Sequence, residues 1–327
     1  MLAVVACATM PGVAQAQTPV GFKSITIVVG SPTGGGYDAY SRVLARHISR
    51  YIPGQPNIVV QNMPGASSLK AVKYLDTGPS TDGSVITAFN PGLLNESLLS
   101  ADKIGFKFTD VAFVGSITRD LRACYAWGAT GIKTFDDLRK VKQFNMGAPA
   151  PGTSSYINEA VLKNMFGIAV RQVTGYAGSA QQRMAIERGE LDGDCGAYAS
   201  IPVAWLAEKK VHPFVRFSAA RTEDIPESAV YVGTFAKTDE QRALLNVLSG
   251  GDEIGRPFIM SRQVPADRLA MIRQAFMATM KDPAFIADMQ KLGHPVQPLP
   301  GEKAEAIVAT MSGASPEVLK QARAIYE

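Results

Sequence analysis

Ile25-Thr26-Ile27-Val28-Val29-Gly30-Ser31-Pro32-Thr33-Gly34-Gly35-Gly36-Tyr37-Asp38 carries the strongest organising signal in the chain. Five β-branched residues suit a buried strand, and the glycines behind them suit a tight turn. Tyr40, Val43, Leu44, His47 and Ile48 then recur at helical spacing, which predicts an amphipathic helix directly after the turn. Three consecutive glycines admit a ligand close to the backbone, and a helix N-terminus offers unpaired N–H groups to an anion. The competing reading is a βα turn whose glycines serve packing alone.

A second stretch repeats the physics more than a hundred residues on. Phe144-Asn145-Met146-Gly147-Ala148 leads through Pro149, Ala150, Pro151, Gly152 and Thr153 to Ser154 and Ser155. Ile157, Ala160, Val161, Asn164 and Met165 follow at helical spacing. Two strand–loop–helix units of this kind can close on one small anion from opposite sides.

The rest of the chain extends the pattern. Asn57 to Asn62 and Ser84 to Phe89 read as strands, and Leu69, Val72 and Leu75 mark a helix between them. Strands alternating with helices predict an α/β fold with mostly parallel sheets, whose ligands sit at the carboxyl ends of the strands. Residues 33–38, 65–68 and Asn90 fall at such ends. Val111 to Gly115 and Ala123 to Trp127 lead away from this unit, and residues 117–217 form a second α/β unit of their own. Thr134 reads as a helix N-cap, with Asp136 and Asp137 in the first turn.

Composition sets the bounds. The 327 residues are 46% hydrophobic and 19% charged, with a net charge of +4 that is spread along the chain. Without a Lys/Arg cluster there is little support for nucleic-acid binding. Residues 1–16 read as a signal peptide, apolar at the start and ending in the small-x-small site Ala14-Gln15-Ala16, so export is expected. No later run approaches the roughly 18 apolar residues of a membrane span. Cys124 and Cys195 remain after cleavage and permit one disulfide, the alternative being two buried thiols. Three scattered histidines and no C-x-x-C or H-E-x-x-H motif argue against a metal, and no cofactor is expected.

These residues resemble the substrate-binding proteins of tripartite tricarboxylate transporters, the Bug family. The resemblance rests on the Ile25–Asp38 loop, Asn62-x-Pro64-Gly65-Ala66, Asp82-Gly83, Gly152-Thr153-Ser154-Ser155, Tyr176-x-Gly178 and Gly189-Glu190-Leu191-Asp192. Pro265-Ala266-Asp267 to Gly293 matches the C-terminal helical part, so essentially the whole mature chain is covered. It implies a two-lobe periplasmic receptor of the Venus flytrap type, with lobe I at 17–116 plus 218–327 and lobe II at 117–217. It also implies a monomer that captures a small organic acid, di- or tricarboxylic or aromatic, for the membrane components of such a transporter. One ligand carboxylate would be held at residues 33–38 and 150–155, largely by backbone groups and water. The departures are Thr33 for the usual proline, Ser31 near an aliphatic or aromatic position, Tyr37 for a small residue, and Ala177 for a lysine or arginine.

Candidate ligand contacts are therefore Ser31, Thr33, Gly34, Gly35, Gly36, Tyr37, Asp38 and Asn90 on the first unit. Ala150, Pro151, Gly152, Thr153, Ser154, Ser155, Tyr176, Asp194 and Tyr198 are their counterparts on the second. For Asp194 the alternative is a solvated turn, and for the two tyrosines it is packing. A rival class is an exported serine hydrolase, because Ser67-Ser68-Leu69-Lys70 matches S-x-x-K. Its S-D-N and K-T-G partners are absent, as are G-x-S-x-G and the phosphate-binding G-x-x-x-x-G-K-[ST]. No catalytic residue is expected.

Overall fold

The structure, a computed structural model, describes residues 21–34, 36–76, 81–149, 153–176, 179–219, 221 and 225–326. The expected signal peptide and Gly35, Ala150, Pro151, Gly152, Ala177 and Gly178 lie outside the described residues.

Among the described residues twelve strands build two sheets. In chain order they are β1 (Ser24–Val29), β2 (Asn57–Asn62), β3 (Val85–Ala88), β4 (Val111–Ser116), β5 (Arg122–Trp127) and β6 (Phe144–Ala148). Then follow β7 (Val170–Thr174), β8 (Gly193–Ala197), β9 (Val211–Arg216), β10 (Val230–Tyr231), β11 (Pro257–Ser261) and β12 (Leu299–Pro300). The first sheet runs β12-β4-β11-β3-β1-β2 and the second β10-β9-β5-β8-β6-β7.

Both sheets are mixed: the second is mostly parallel with β5 alone reversed, and the first has antiparallel β11 and β12. β1 pairs in parallel with β2 and β3, whereas β11 runs antiparallel to β3 and β4. In the second sheet β6 is parallel to β7 and β8, and β5 is antiparallel to β8 and β9. The physical reason is the route of the chain. β5 and β11 are the strands that arrive from the other sheet, so they start at the hinge, where their neighbours end. A strand that starts where its neighbours end must run against them.

Each sheet is covered on both faces, as strands of unbroken apolar burial require. β4 is buried along its whole length. The helix α1 (Gly36–Ile48) buries Tyr40, Val43, Leu44, His47 and Ile48, the stripe expected from spacing. Beside it the helix Ala266–Thr279 contributes Ile272 and Phe276 to the same core. The core of the second sheet joins Phe144, Ile157 and Phe214 to Leu244, Leu248, Val318 and Ala322. Its strand β10 and its covering helices Asp239–Ser249 and Pro316–Tyr326 therefore come from beyond residue 217.

Two local details bear on the site. The helix Ser154–Ala160 continues as a π-turn over Val161–Met165, which holds more residues per turn than an α-helix. The apolar stripe consequently shifts, so that Leu162 is buried and Asn164 is exposed. Cys124 and Cys195 are paired across β5 and β8 in a disulfide with a Cα–Cα distance of 4.0 Å. The alternative of two free thiols is thereby set aside.

Candidate functional site

The carboxyl ends of β1 and β3 are tied together from below. Ser68 donates its hydroxyl to the Gly30 carbonyl at 2.9 Å and accepts the Asn90 N–H at 3.1 Å. A Cβ on residue 30 would stand 2.5 Å from that of Ser68, so only glycine lets the two loops approach this closely. Ala66, Ser67 and Ser68 all have positive φ, at 45°, 51° and 82°. Such backbone is strained for residues with a Cβ and is held by its surroundings.

The glycine loop is organised by Asp38. Its carboxylate accepts the Gly34 N–H at 2.8 Å, pairs with Arg42 at 3.0 Å and accepts from Asn62 at 2.9 Å. Burial opposes its charge, yet the bonds from Arg42, Gly34 and Asn62 hold its pKa below the usual carboxylate range. Gly34 sits at φ +85°, in the left-handed region that glycine enters freely. Ser31 gives its carbonyl to Asn62, and Thr33 donates to the same side chain at 3.2 Å. Asp38 therefore shapes the loop, being itself only 2% exposed.

From this loop Tyr37 projects into a cavity of about 440 Å³ between the sheets. Ser67, Asn90 and Glu96 line it from the first sheet, and Thr153 and Ser154 from the second. Asp120, Arg122 and Arg256 close its back. A smaller cavity of about 260 Å³ lies beside it, lined by Gly36, Tyr40, Tyr198 and His294. Asp120 and Arg256 belong to both.

The charges at the back are unequally matched. Arg122 pairs with Asp120 at 2.7 Å and with Asp252 at 3.3 Å. Burial alone would weaken its proton affinity, but those two carboxylates outweigh it and raise the pKa. Burial raises the Asp252 pKa as well, against the pull of Arg122 and a hydrogen bond from Ser154. Arg119 lies 3.6 Å from Glu253. Arg256 has no carboxylate within 4.0 Å among the described residues. Its guanidinium carbon lies 4.5 Å from the centre of the Tyr37 ring and 5.5 Å from that of Tyr40. Desolvation pushes the Tyr37 hydroxyl up to about 12, so it remains a neutral group beside the guanidinium.

Of the residues expected from sequence, the larger cavity gathers Tyr37, Asn90, Thr153 and Ser154, and the smaller one gathers Gly36 and Tyr198. Asp194 is 2% exposed and lines neither. It accepts from Gln182 at 3.2 Å, and burial pushes its pKa up to about 6. Ser155 is buried within its helix, and Tyr176 packs against Gly147. Ser67 forms no hydrogen bond with Lys70, which is exposed, so the S-x-x-K pair is not assembled among the described residues. Glu96, Asp120, Arg122 and Arg256 were not expected. For the last three the one sequence signal is position. Asp120 and Arg122 stand just before and at the start of β5 and Arg256 just before β11, where the chain arrives from the other sheet. Among the described residues no group of three or more His, Cys, Asp or Glu could hold a metal ion, and no helix is long and apolar enough to cross a membrane.

Two sheets exchanging strands around a shared cavity form a known arrangement. A TctC solute-binding protein from Polaromonas matches with a TM-score of 0.74, at 17% identity, over 92% of this chain and 97% of that one. The fold is that of the two-lobe periplasmic binding proteins. Rpa4515 of R. palustris, solved with adipate, matches at a TM-score of 0.60 and 17% identity over 92% and 97% of the two chains. MatC from Rhodopseudomonas palustris, solved with bound malate, matches at 0.57 and 19% over 95% and 100%. In sequence, a protein of Agrobacterium vitis described as "UPF0065 protein in the TAR-I ttuE-ttuC' intergenic region" is 25% identical over 300 residues. That alignment covers 89% of this chain and 82% of the relative. No family model matches the chain. The chain is thus similar to a UPF0065 protein in sequence and to a TctC solute-binding protein in fold.

Proposed function

We propose that this protein is an extracytoplasmic receptor that captures a small organic carboxylate between its lobes and delivers it to a tripartite tricarboxylate transporter. One observation carries the reading: strand-end loops of both sheets, with Tyr37 and Asn90 on one and Thr153 and Ser154 on the other, line a single cavity of about 440 Å³. A ligand touching both sheets binds the closed arrangement better than the open one, which is the differential affinity that closure needs. The malate and adipate bound by two proteins of the same fold support an acid as the ligand. The lobes in this reading are residues 17–116 with 218–327 and residues 117–217, the latter completed by strand β10 and by helices from beyond residue 217. Residues 1–16 would direct export to the periplasm, and the receptor would act as a monomer.

The contacts in this reading are the loop 33–38, Asn90 and the loop 150–155. A hydrolase needs an activated nucleophile, and Ser67 has no base within hydrogen-bond reach among the described residues. A thermal-shift screen of residues 17–327 against aliphatic and aromatic acids tests the reading. Ligand that binds only the folded state raises the melting temperature with concentration. A saturable rise with an organic acid is expected. No rise with any acid, on protein unfolded and refolded to strip carried ligand, would overturn it.

A further inference from the structure

We infer that Glu253 is a positioning residue of the hinge: without lining either ligand cavity, it fixes the angle at which the two cavity walls face each other. The inference rests on the receptor reading above, since it assigns the means by which that cleft keeps its shape.

Among the described residues the chain passes from strand to strand between the sheets twice, at residues 117–121 and 250–256. Backbone bonds lace these two segments together. Ile117 donates to the Arg256 carbonyl at 3.2 Å, Arg256 to that of Thr118 at 3.2 Å, and Asp120 to that of Asp252 at 2.8 Å. Glu253 lies within the second segment. Its Oε1 accepts the Ser218 hydroxyl and, at 2.8 Å, the Ala219 N–H, both just past the end of β9. Its Oε2 faces Arg119 of the first segment at 3.6 Å. One carboxylate thus joins both crossings to the second sheet.

The turn that Glu253 grips is itself held to the sheet. Arg216, the last residue of β9, donates Nη1 to the carbonyls of Ser218 and, at 2.8 Å, Ala219. The turn therefore follows β9 as one piece, and Glu253 follows the turn. Bending is left to the residues beyond this grip, where Gly255 sits at φ +45° and no Cβ would fit against the Thr118 carbonyl.

Packing does not supply this restraint. Glu253 lines a separate cavity of about 230 Å³, with Tyr231 and Leu245 on one side and Ile307 and Met311 of the helix Gly301–Ser312 on the other. A packed core transmits strain and resists displacement, and a void does neither. Hydrogen bonds to a carboxylate are short, strong and directional, so they can hold an angle that packing leaves loose. Asp120, Arg122 and Arg256 stand at the back of the larger ligand cavity, beside the hinge. A change of angle at Glu253 therefore moves Tyr37 and Asn90 relative to Thr153 and Ser154.

Spin labels on Lys281→Cys and Arg188→Cys, two exposed positions on opposite lobes, report the distance between the lobes in the protein without ligand. Glu253→Ala should broaden that distance distribution. It should also weaken organic-acid binding at least about fivefold, the lower end of coupling between separate sites, although it removes no ligand contact. Glu253→Gln keeps an oxygen for Ser218 and Ala219 and should recover most of the native distribution. Ser218→Ala removes one bond and keeps the charge, so it should broaden the distribution by less; it decides the matter if circular dichroism shows Glu253→Ala unfolded. A carboxylate that only stabilises the fold would lower the melting temperature and leave the distances as they were. An unchanged distribution, or a broadened one with native affinity, overturns the inference and leaves the receptor reading standing. The distances are read without ligand, so failure of every acid to bind would overturn the receptor reading alone.

Discussion

Ser68 places its hydroxyl 2.9 Å from the Gly30 carbonyl even though its own backbone is held at φ +82°. Strain in the 66–68 turn is thus set against two hydrogen bonds, one buried and one partly buried, that join the ends of β1 and β3. Ser68→Ala keeps the strain and removes the bonds, leaving the Gly30 carbonyl and the Asn90 N–H short of a partner. We expect a loss of about 1–3 kcal/mol in urea unfolding. A change below about 0.5 kcal/mol would mean that the turn is held by other contacts.

Gly36 opens α1 next to Arg256. In Gly36→Val the branched side chain presses on the guanidinium and fills the entrance to the smaller cavity. Helix α1 has its apolar stripe on the opposite side, so the core is untouched. Titration should show organic-acid affinity reduced by more than about tenfold, the equivalent of about 1.4 kcal/mol. The melting temperature of the empty protein should move by only a few degrees.

The disulfide between Cys124 and Cys195 closes a loop of 71 residues inside the second sheet. Cross-links of this span typically contribute about 2–4 kcal/mol. Reductant, or the paired substitution of both cysteines by alanine, should lower the melting temperature measurably. Both thiols would be fully buried, so reduction should require partial unfolding and proceed slowly at room temperature.

Acid and base should act on different carboxylates. Burial raises Asp194 to about 6 and also raises Asp252, so the folded chain keeps protons that the unfolded chain has released. Stability should therefore fall as pH rises from about 4 to about 7. Bonds from His47 and Arg46 lower Asp288 to about 2, and Asp38 is lowered too. Their contribution is present above pH about 4 and is lost as pH falls toward 2. Melting temperatures between pH 3 and 8 should peak on the acid side of neutrality, and Asp194→Asn should flatten the decline above the peak. A steady rise from pH 4 to 6 would refute the assignment.

Local patterns in the sequence were readable where local physics decides the outcome. The strand–glycine–helix unit at 25–48 is formed as its periodicity requires. Thr134 caps its helix by accepting the Asp137 N–H at 3.1 Å, with Asp137 returning the bond. His47 sits buried against Asp288. What depends on distant partners was not readable. The direction of β5 and β11 follows from the hinge they leave, and the Cys124–Cys195 bond from the register of β5 on β8. Arg256 has no periodic setting at all. Its place beside Tyr37 and Asp120 in one cavity appears only in three dimensions.

The helix Pro316–Tyr326 ends the chain in contact with Gly92–Leu99, Ser154–Ala160 and Asp239–Ser249. The first two of these carry opposite walls of the ligand cavity on their leading turns. Their far sides share one greasy seam, in which Leu99, Val318 and Ala322 are buried together. The last helix thus seals the backs of both walls at once: a chain cut before Pro316 would expose that shared seam to water.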